Sequence, residues 1–141
     1  MVQQCANNIT NITGRVLVQV SPRRVDDSKL VLEQAYAFDR AFNDLGITRD
    51  QYAIKISATG PAMVAAKELN EAGIRVLATS IFSLPQAVAA SQARCLYISP
   101  YFNEVAAYSD DSLMHKGLDP ALEVRPTTIT KPLRLGSRNW D

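Results

Sequence analysis

Between residues 15 and 100, short apolar runs rich in β-branched residues alternate with segments whose apolar residues recur at helical spacing. This alternation is typical of βαβ units, because parallel strands need a long crossover connection, usually a helix. Strands are predicted at residues 15–20, 52–58, 75–82 and 95–100, and helices in the three intervening segments. The sequence therefore predicts an α/β fold with about four βα units and parallel strands.

The periodic pattern ends shortly after the fourth predicted strand. Pro120, Pro126 and Pro132 interrupt a polar C-terminal region, and such composition disfavours a packed core. We therefore predict one folded unit at residues 1–102 and an irregular, partly disordered C-terminal extension at residues 103–141.

Composition excludes several classes of partner and site. The formal net charge is +1, without a long run of either sign, so we expect no nucleic-acid partner and no anionic membrane surface. No apolar stretch approaches the roughly 18 residues of a membrane span, and the N-terminus has no signal-peptide pattern, which indicates a cytoplasmic protein. Cys5, Cys95 and the lone His115 lack metal-site spacing, so neither a metal nor a cofactor is expected.

Lys55 is the only cation in the apolar run Tyr-Ala-Ile-Lys-Ile-Ser-Ala of the second predicted strand. Burial disfavours the charged form of a lysine, and the resulting neutral amine can attack a carbonyl carbon and form a Schiff base. A lysine in a strand can also extend its ammonium group to solvent at a sheet edge. The strand pattern by itself does not choose between these interpretations.

Polar side chains cluster near the predicted carboxyl ends of the strands, where parallel sheets with helical crossovers place their active sites. They are Gln19, Lys55, Ser57, Thr59, Thr79, Ser80, Ser83 and Ser99. Threonine is also a common strand residue, and Ser-Pro is a common turn, so Thr79 and Ser99 have simple structural interpretations as well.

Four ordered blocks carry a resemblance to a known family. Residues 54–59, 65–74, 78–87 and 98–101 resemble the transaldolases, and residues 14–23 are similar to the strand and loop that precede these blocks. The resemblance implies a partial TIM (β/α)8 barrel, and it implies transfer of a dihydroxyacetone unit between sugar phosphates in the pentose phosphate pathway. By the same resemblance, Lys55 forms the Schiff base, Thr79 positions the catalytic water, and Ser99 lies at the phosphate-binding end. We assign Thr59 and Gln19 to substrate binding.

Three positions depart from the pattern of that family. Gln19 replaces a glutamate of proton transfer, Leu77 replaces a substrate-binding asparagine, and Glu104 falls near a phosphate-binding arginine. An amide cannot take up a proton at neutral pH, so full transfer should be impaired. Two alternatives therefore stay open: a non-catalytic accessory or binding protein, and a lysine-dependent enzyme of the aldolase type on another small carbonyl substrate.

The resemblance also implies that the first two strands and the last strands of the barrel are not in this chain. A partial barrel has unpaired sheet edges and exposed apolar surface. We therefore expect a homo-oligomer, or association with a partner that covers the open barrel.

Overall fold

The structure, a computed structural model, describes residues 1–101. It has four helices and four strands in this part of the chain: α1 (Val2–Asn8), β1 (Val16–Gln19), α2 (Ser28–Asp44), β2 (Tyr52–Ser57), α3 (Gly60–Glu71), β3 (Val76–Ile81), α4 (Leu84–Gln92) and β4 (Tyr97–Pro100). Short 3-10 turns occupy Ile9–Asn11 and Pro22–Arg24. The predicted C-terminal extension, residues 103–141, lies outside the described residues.

The four strands form one sheet in the order β1-β2-β3-β4, and every neighbouring pair is parallel. Because α2, α3 and α4 each connect two neighbouring strands, the chain repeats one βα unit along the sheet. The predicted α/β class is confirmed, and the arrangement is that of a partial α/β barrel.

Local sequence signals explain where the connecting helices begin and end. Asp27 caps α2 by accepting hydrogen bonds from the backbone N–H groups of Lys29, at 2.8 Å, and Leu30, at 3.4 Å. Gly46 and Gly73 follow α2 and α3 with φ of 72° and 81°, a conformation that glycine adopts without steric cost.

The helices cover one face of the sheet. The ring of Tyr52 stacks on that of Phe42 in α2, with centroids 4.2 Å apart, so this side chain points toward the helices. Side chains alternate along a strand, and Ile54 and Ile56 therefore face the helices too. Both are fully buried, like Val18 in the neighbouring strand. Lys55 consequently lies on the opposite face.

No helix within residues 1–101 has the length and apolar character needed to cross a membrane.

Candidate active site

Lys55 lies in the middle of a row of three side chains that runs across the sheet. In the strand register, Lys55 of β2 pairs with Gln19 of β1 on one side and with Leu77 of β3 on the other. Neighbouring strands are about 4.8 Å apart, and residues paired in register point to the same face. We call this surface the Lys55 face and define it by Gln19, Lys55, Ser57, Leu77 and Thr79.

The position of β2 bears on the two interpretations of the lysine. β2 lies between β1 and β3, so Lys55 is not on a sheet edge. It is half-buried, whereas the other five residues of its strand are buried. The side chain is thus held within the sheet and keeps access to solvent, as a nucleophile that must meet a substrate requires.

A second row lies one step nearer the carboxyl ends of the strands. There Ser57 pairs with Thr79, and both are buried. Thr79 is only 1% exposed, and its Oγ1 makes no hydrogen bond to the protein in the described part of the chain. Because a buried hydroxyl without a partner is unfavourable, such an atom is a feature that a functional site explains. The predicted role of Thr79 in holding a water is consistent with this position.

A bulge in β3 adds a third hydroxyl to this row. Ala78 pairs with Ile98, and Ile81 pairs with Pro100, so three steps along β3 oppose two steps along β4. Ser80 lies in the bulge with φ of 55°, which is uncommon for a residue other than glycine. Bulges redirect side chains. The Oγ of Ser80 donates a hydrogen bond to the Oγ of Ser57 at 3.2 Å.

The remaining predicted residues have different surroundings. Thr59 is the N-cap of α3: its Oγ1 accepts a hydrogen bond from the backbone of Ala62 at 3.3 Å and donates one to the carbonyl of Val25. Ser99 in β4 is half-buried, as is Gln19 in β1. The structure brings Gln19, Lys55 and Thr79 to one face of the sheet. The binding roles assigned to Thr59, Ser99 and Gln19 stay predictions.

The strongest ionic contact in the described part of the chain lies at the other end of β2. Asp39 of α2 accepts hydrogen bonds from Nε and Nη2 of Arg49, each at 2.8 Å, and another from the hydroxyl of Tyr52. The bonds from Arg49, followed by the bond from Tyr52, hold the pKa of Asp39 below its usual value against the opposing effect of burial. Since Tyr52 begins β2 and faces the helices, this cluster is structural.

The Lys55 face offers an amine, an amide and hydroxyls. None of the residues that define it carries a carboxylate. The position beside Lys55 in β1 is held by the amide of Gln19. Within residues 1–101, no group of three or more His, Cys, Asp or Glu side chains could hold a metal ion. The surface is suited to binding a small hydroxylated carbonyl compound and to forming an imine with it.

The chain is similar to a protein family and to individual curated proteins. The model of the family "Transaldolase/Fructose-6-phosphate aldolase" matches residues 1–129. Among curated proteins, the chain is similar to transaldolase A of Pasteurella multocida, with 30% identity over 120 residues, which is 85% of this chain and 38% of that protein.

Two eukaryotic relatives show the same likeness. Human transaldolase is 30% identical over 127 residues, covering 89% of this chain and 38% of the human protein. Transaldolase of Schizosaccharomyces pombe is 35% identical over 94 residues, covering 67% of this chain and 29% of the yeast protein. The chain thus spans well under half the length of these curated relatives.

Proposed function

The chain belongs to the transaldolase/fructose-6-phosphate aldolase family, and we propose that Lys55 forms a Schiff base with the carbonyl carbon of a sugar phosphate or another small carbonyl compound. The observation that carries this proposal is the position of Lys55 in an interior strand, half-buried, with a row of hydroxyls one step nearer the carboxyl end of the sheet.

The proposed reaction uses the amine as both nucleophile and electron sink. Nζ of Lys55 attacks C2 of a ketose phosphate to give a carbinolamine, and uptake of a proton with loss of water gives an iminium ion. The C3–C4 bond then breaks as the C4 hydroxyl loses its proton, the bonding electrons move toward the iminium nitrogen, and an aldehyde leaves. The enamine that remains on Lys55 either attacks an acceptor aldehyde or takes up a proton. In both cases water then hydrolyses the resulting iminium ion and frees Lys55. The first outcome is transaldol transfer, and the second is an aldolase reaction.

Gln19 limits the rate of either outcome. Its side-chain amide lies beside Lys55 in the register, and an amide cannot serve as a general base at neutral pH. General acid–base catalysis typically contributes about 100-fold to 10,000-fold. We therefore propose a transaldolase-like protein with impaired transfer.

A second candidate is a lysine-dependent enzyme of the aldolase type. The name of the matching family includes an aldolase, and the apolar Leu77 leaves one side of Lys55 without a polar group for a sugar phosphate, while Gln19 lies on the other side. The same two residues are compatible with a non-catalytic accessory protein. A place in the pentose phosphate pathway and a cytoplasmic location stay predictions.

One assay separates these candidates. Purified protein is incubated with fructose 6-phosphate, and release of glyceraldehyde 3-phosphate is followed with and without an added aldose phosphate acceptor. We expect slow release that depends on the acceptor. Release of more than one equivalent per protein without the acceptor would establish the aldolase candidate instead, and absence of release in both conditions would favour the accessory protein.

A further inference from the structure

Gln86 in the first turn of α4 contacts backbone at the ends of β2 and β3 and at the start of its own helix. Its Nε2 donates hydrogen bonds to the carbonyl oxygens of Ala58, at 2.9 Å, and Ser80, at 3.2 Å. Its Oε1 accepts hydrogen bonds from the backbone N–H groups of Phe82, at 2.9 Å, and Ser83, at 3.1 Å. One half-buried side chain therefore ties together the segments that follow the Lys55 and Thr79 strands.

These contacts allow only one orientation of the amide. Both donors of Nε2 meet carbonyl oxygens, and Oε1 meets N–H donors. A flipped amide would place its NH₂ group against two N–H groups and its oxygen against two carbonyls. Gln86 thus holds the carbonyl group of Ser80 in the bulge and, two residues later, the N–H group of Phe82.

The bulge needs such support because of the backbone of Ser80. A residue other than glycine with φ of 55° is strained and persists only where its surroundings hold it. In this conformation the hydroxyl of Ser80 reaches Ser57. Ser57 is two residues beyond Lys55 on the same face, about 6.6 Å along the strand, which is within reach of a small molecule bonded to the lysine.

We propose that Gln86 is a positioning residue that holds the Ser57–Ser80 hydroxyl pair where it binds a hydroxyl group of the carbonyl substrate on Lys55. This inference rests on the proposed function of the lysine. It adds a recognition element for hydroxylated carbonyl compounds, such as a ketose, and places its support in α4, away from the substrate. Ser57 and Ser80 make the contact, and Gln86 acts through them.

The test compares two ketones that differ in their hydroxyl groups. The full chain is incubated with dihydroxyacetone or with acetone in the presence of cyanoborohydride. The initial rate at which the reduced adduct forms at Lys55 is measured by mass spectrometry. The variant Gln86→Glu loses both donors and opposes two carbonyl oxygens with a carboxylate. We expect it to lower the dihydroxyacetone rate by about 10-fold and to leave the acetone rate within about 2-fold.

Two further variants keep the result interpretable. Gln92→Glu makes the same chemical change at an exposed position of the same helix, and we expect the wild-type ratio of the two rates. Ser80→Ala keeps Gln86 but removes the hydroxyl, and we expect it to lower the ratio of the dihydroxyacetone rate to the acetone rate. This second variant tests the hydroxyl pair even if Gln86→Glu folds poorly.

The outcomes separate failure of the Schiff-base function of Lys55 from failure of the positioning role of Gln86. Wild-type protein that traps neither ketone at Lys55 overturns the proposed function and the positioning role with it. Wild-type protein that traps both, while Gln86→Glu and Ser80→Ala keep the wild-type ratio, overturns the positioning role alone. A purely structural role for Gln86 would lower both rates together.

Discussion

At the scale of single residues, two threonine hydroxyls near the Lys55 face have opposite surroundings. The Oγ1 of Thr59 has partners on both sides, the carbonyl of Val25 and the N–H of Ala62. The Oγ1 of Thr79 is buried and has no partner in the described part of the chain. The first hydroxyl stabilises the fold, and the second makes no such contribution.

Replacing Thr79 by valine should therefore separate stability from function. Valine has nearly the same shape, and removal of an unpartnered buried hydroxyl should raise the free energy of unfolding by about 1 kcal/mol. The rate at which the borohydride-trapped adduct forms at Lys55 should fall by about 10-fold or more if the hydroxyl of Thr79 positions the water for proton transfer in imine formation, as we predict. Urea denaturation and adduct mass spectrometry measure the two effects. A destabilised variant with an unchanged adduct rate would contradict this account of the hydroxyl.

The same substitution at Thr59 should have the opposite effect on stability. Thr59→Val removes the cap of α3 and leaves the N–H of Ala62 without its acceptor. We expect a loss of about 1 kcal/mol in the free energy of unfolding, measured by urea denaturation. Unchanged stability would show that the cap contributes nothing.

The sequence predicted part of this site. Lys55 was identified because a cation interrupts an apolar strand, and Thr79 through the family resemblance. The contact between Ser57 and Ser80 was not predicted, because it depends on a bulge that arises from pairing with β4 and from the contacts of Gln86. Periodicity along one strand contains no information about either.

At the scale of secondary-structure elements, one partly buried cluster connects α2 to the start of β2. Arg49 donates to Asp39 through two nitrogens, and its Nη1 also donates to the carbonyl of Ala72 after α3, at 2.8 Å. Tyr52 adds a hydrogen bond to Asp39 and stacks on Phe42. These contacts fix two helices relative to the strand that carries Lys55.

The cluster predicts how stability depends on pH. Because the pKa of Asp39 is lowered in the folded protein, the unfolded chain binds this proton more readily, and stability falls as pH decreases below about 4. Asp39→Asn should cost about 2 kcal/mol at pH 7, since Arg49 is partly exposed and the loss is smaller than for a fully buried pair.

Measurements of stability at two pH values show whether Asp39 acts through its charge. The difference between wild type and Asp39→Asn should shrink as pH falls through the lowered pKa of the carboxyl, as followed by urea denaturation at pH 7 and at about pH 3. Asp44→Asn, an exposed change in the same helix, should leave stability within about 0.5 kcal/mol. A difference that is constant with pH would show that Asp39 does not act through its charge.

Most elements could be predicted from the sequence. β2 ends at Ser57 and β3 spans Val76–Ile81, within one residue of the predicted ends, because apolar runs between Gly and Pro signals define strands clearly. Helix α1 was not predicted. None of its residues is fully buried, and Val2, Cys5 and Ala6, which pack partly buried against the core, form too short a repeat to predict a helix from the sequence.

At the scale of the whole molecule, the sheet has two edges within the described part of the chain, at β1 and β4. Next to β4, an apolar groove lies between α4 and the strand and includes Leu84, Val88, Leu96 and Ile98. These four side chains are 38–46% exposed. Contiguous apolar surface beside an edge strand is typical of a protein interface.

We expect a second copy of the chain to cover this groove, and therefore self-association at micromolar concentration in analytical sedimentation. Val88→Glu should shift the protein toward monomer, because the interface would have to bury a charge. Val64→Glu, at an exposed position of α3 outside the groove, should sediment like the wild type. A wild-type monomer at this concentration would contradict the expectation.

The central claim is that Lys55 forms a Schiff base, and reductive trapping tests it directly. Wild-type protein, Lys55→Ala and Lys67→Ala are incubated with fructose 6-phosphate and borohydride, and adducts are located by peptide mass spectrometry. Lys67 is exposed on α3 and serves as the matched control. We predict an adduct on Lys55 in the wild type and in Lys67→Ala, and none in Lys55→Ala. Absence of an adduct in the wild type, or an equal yield in Lys55→Ala, would contradict it.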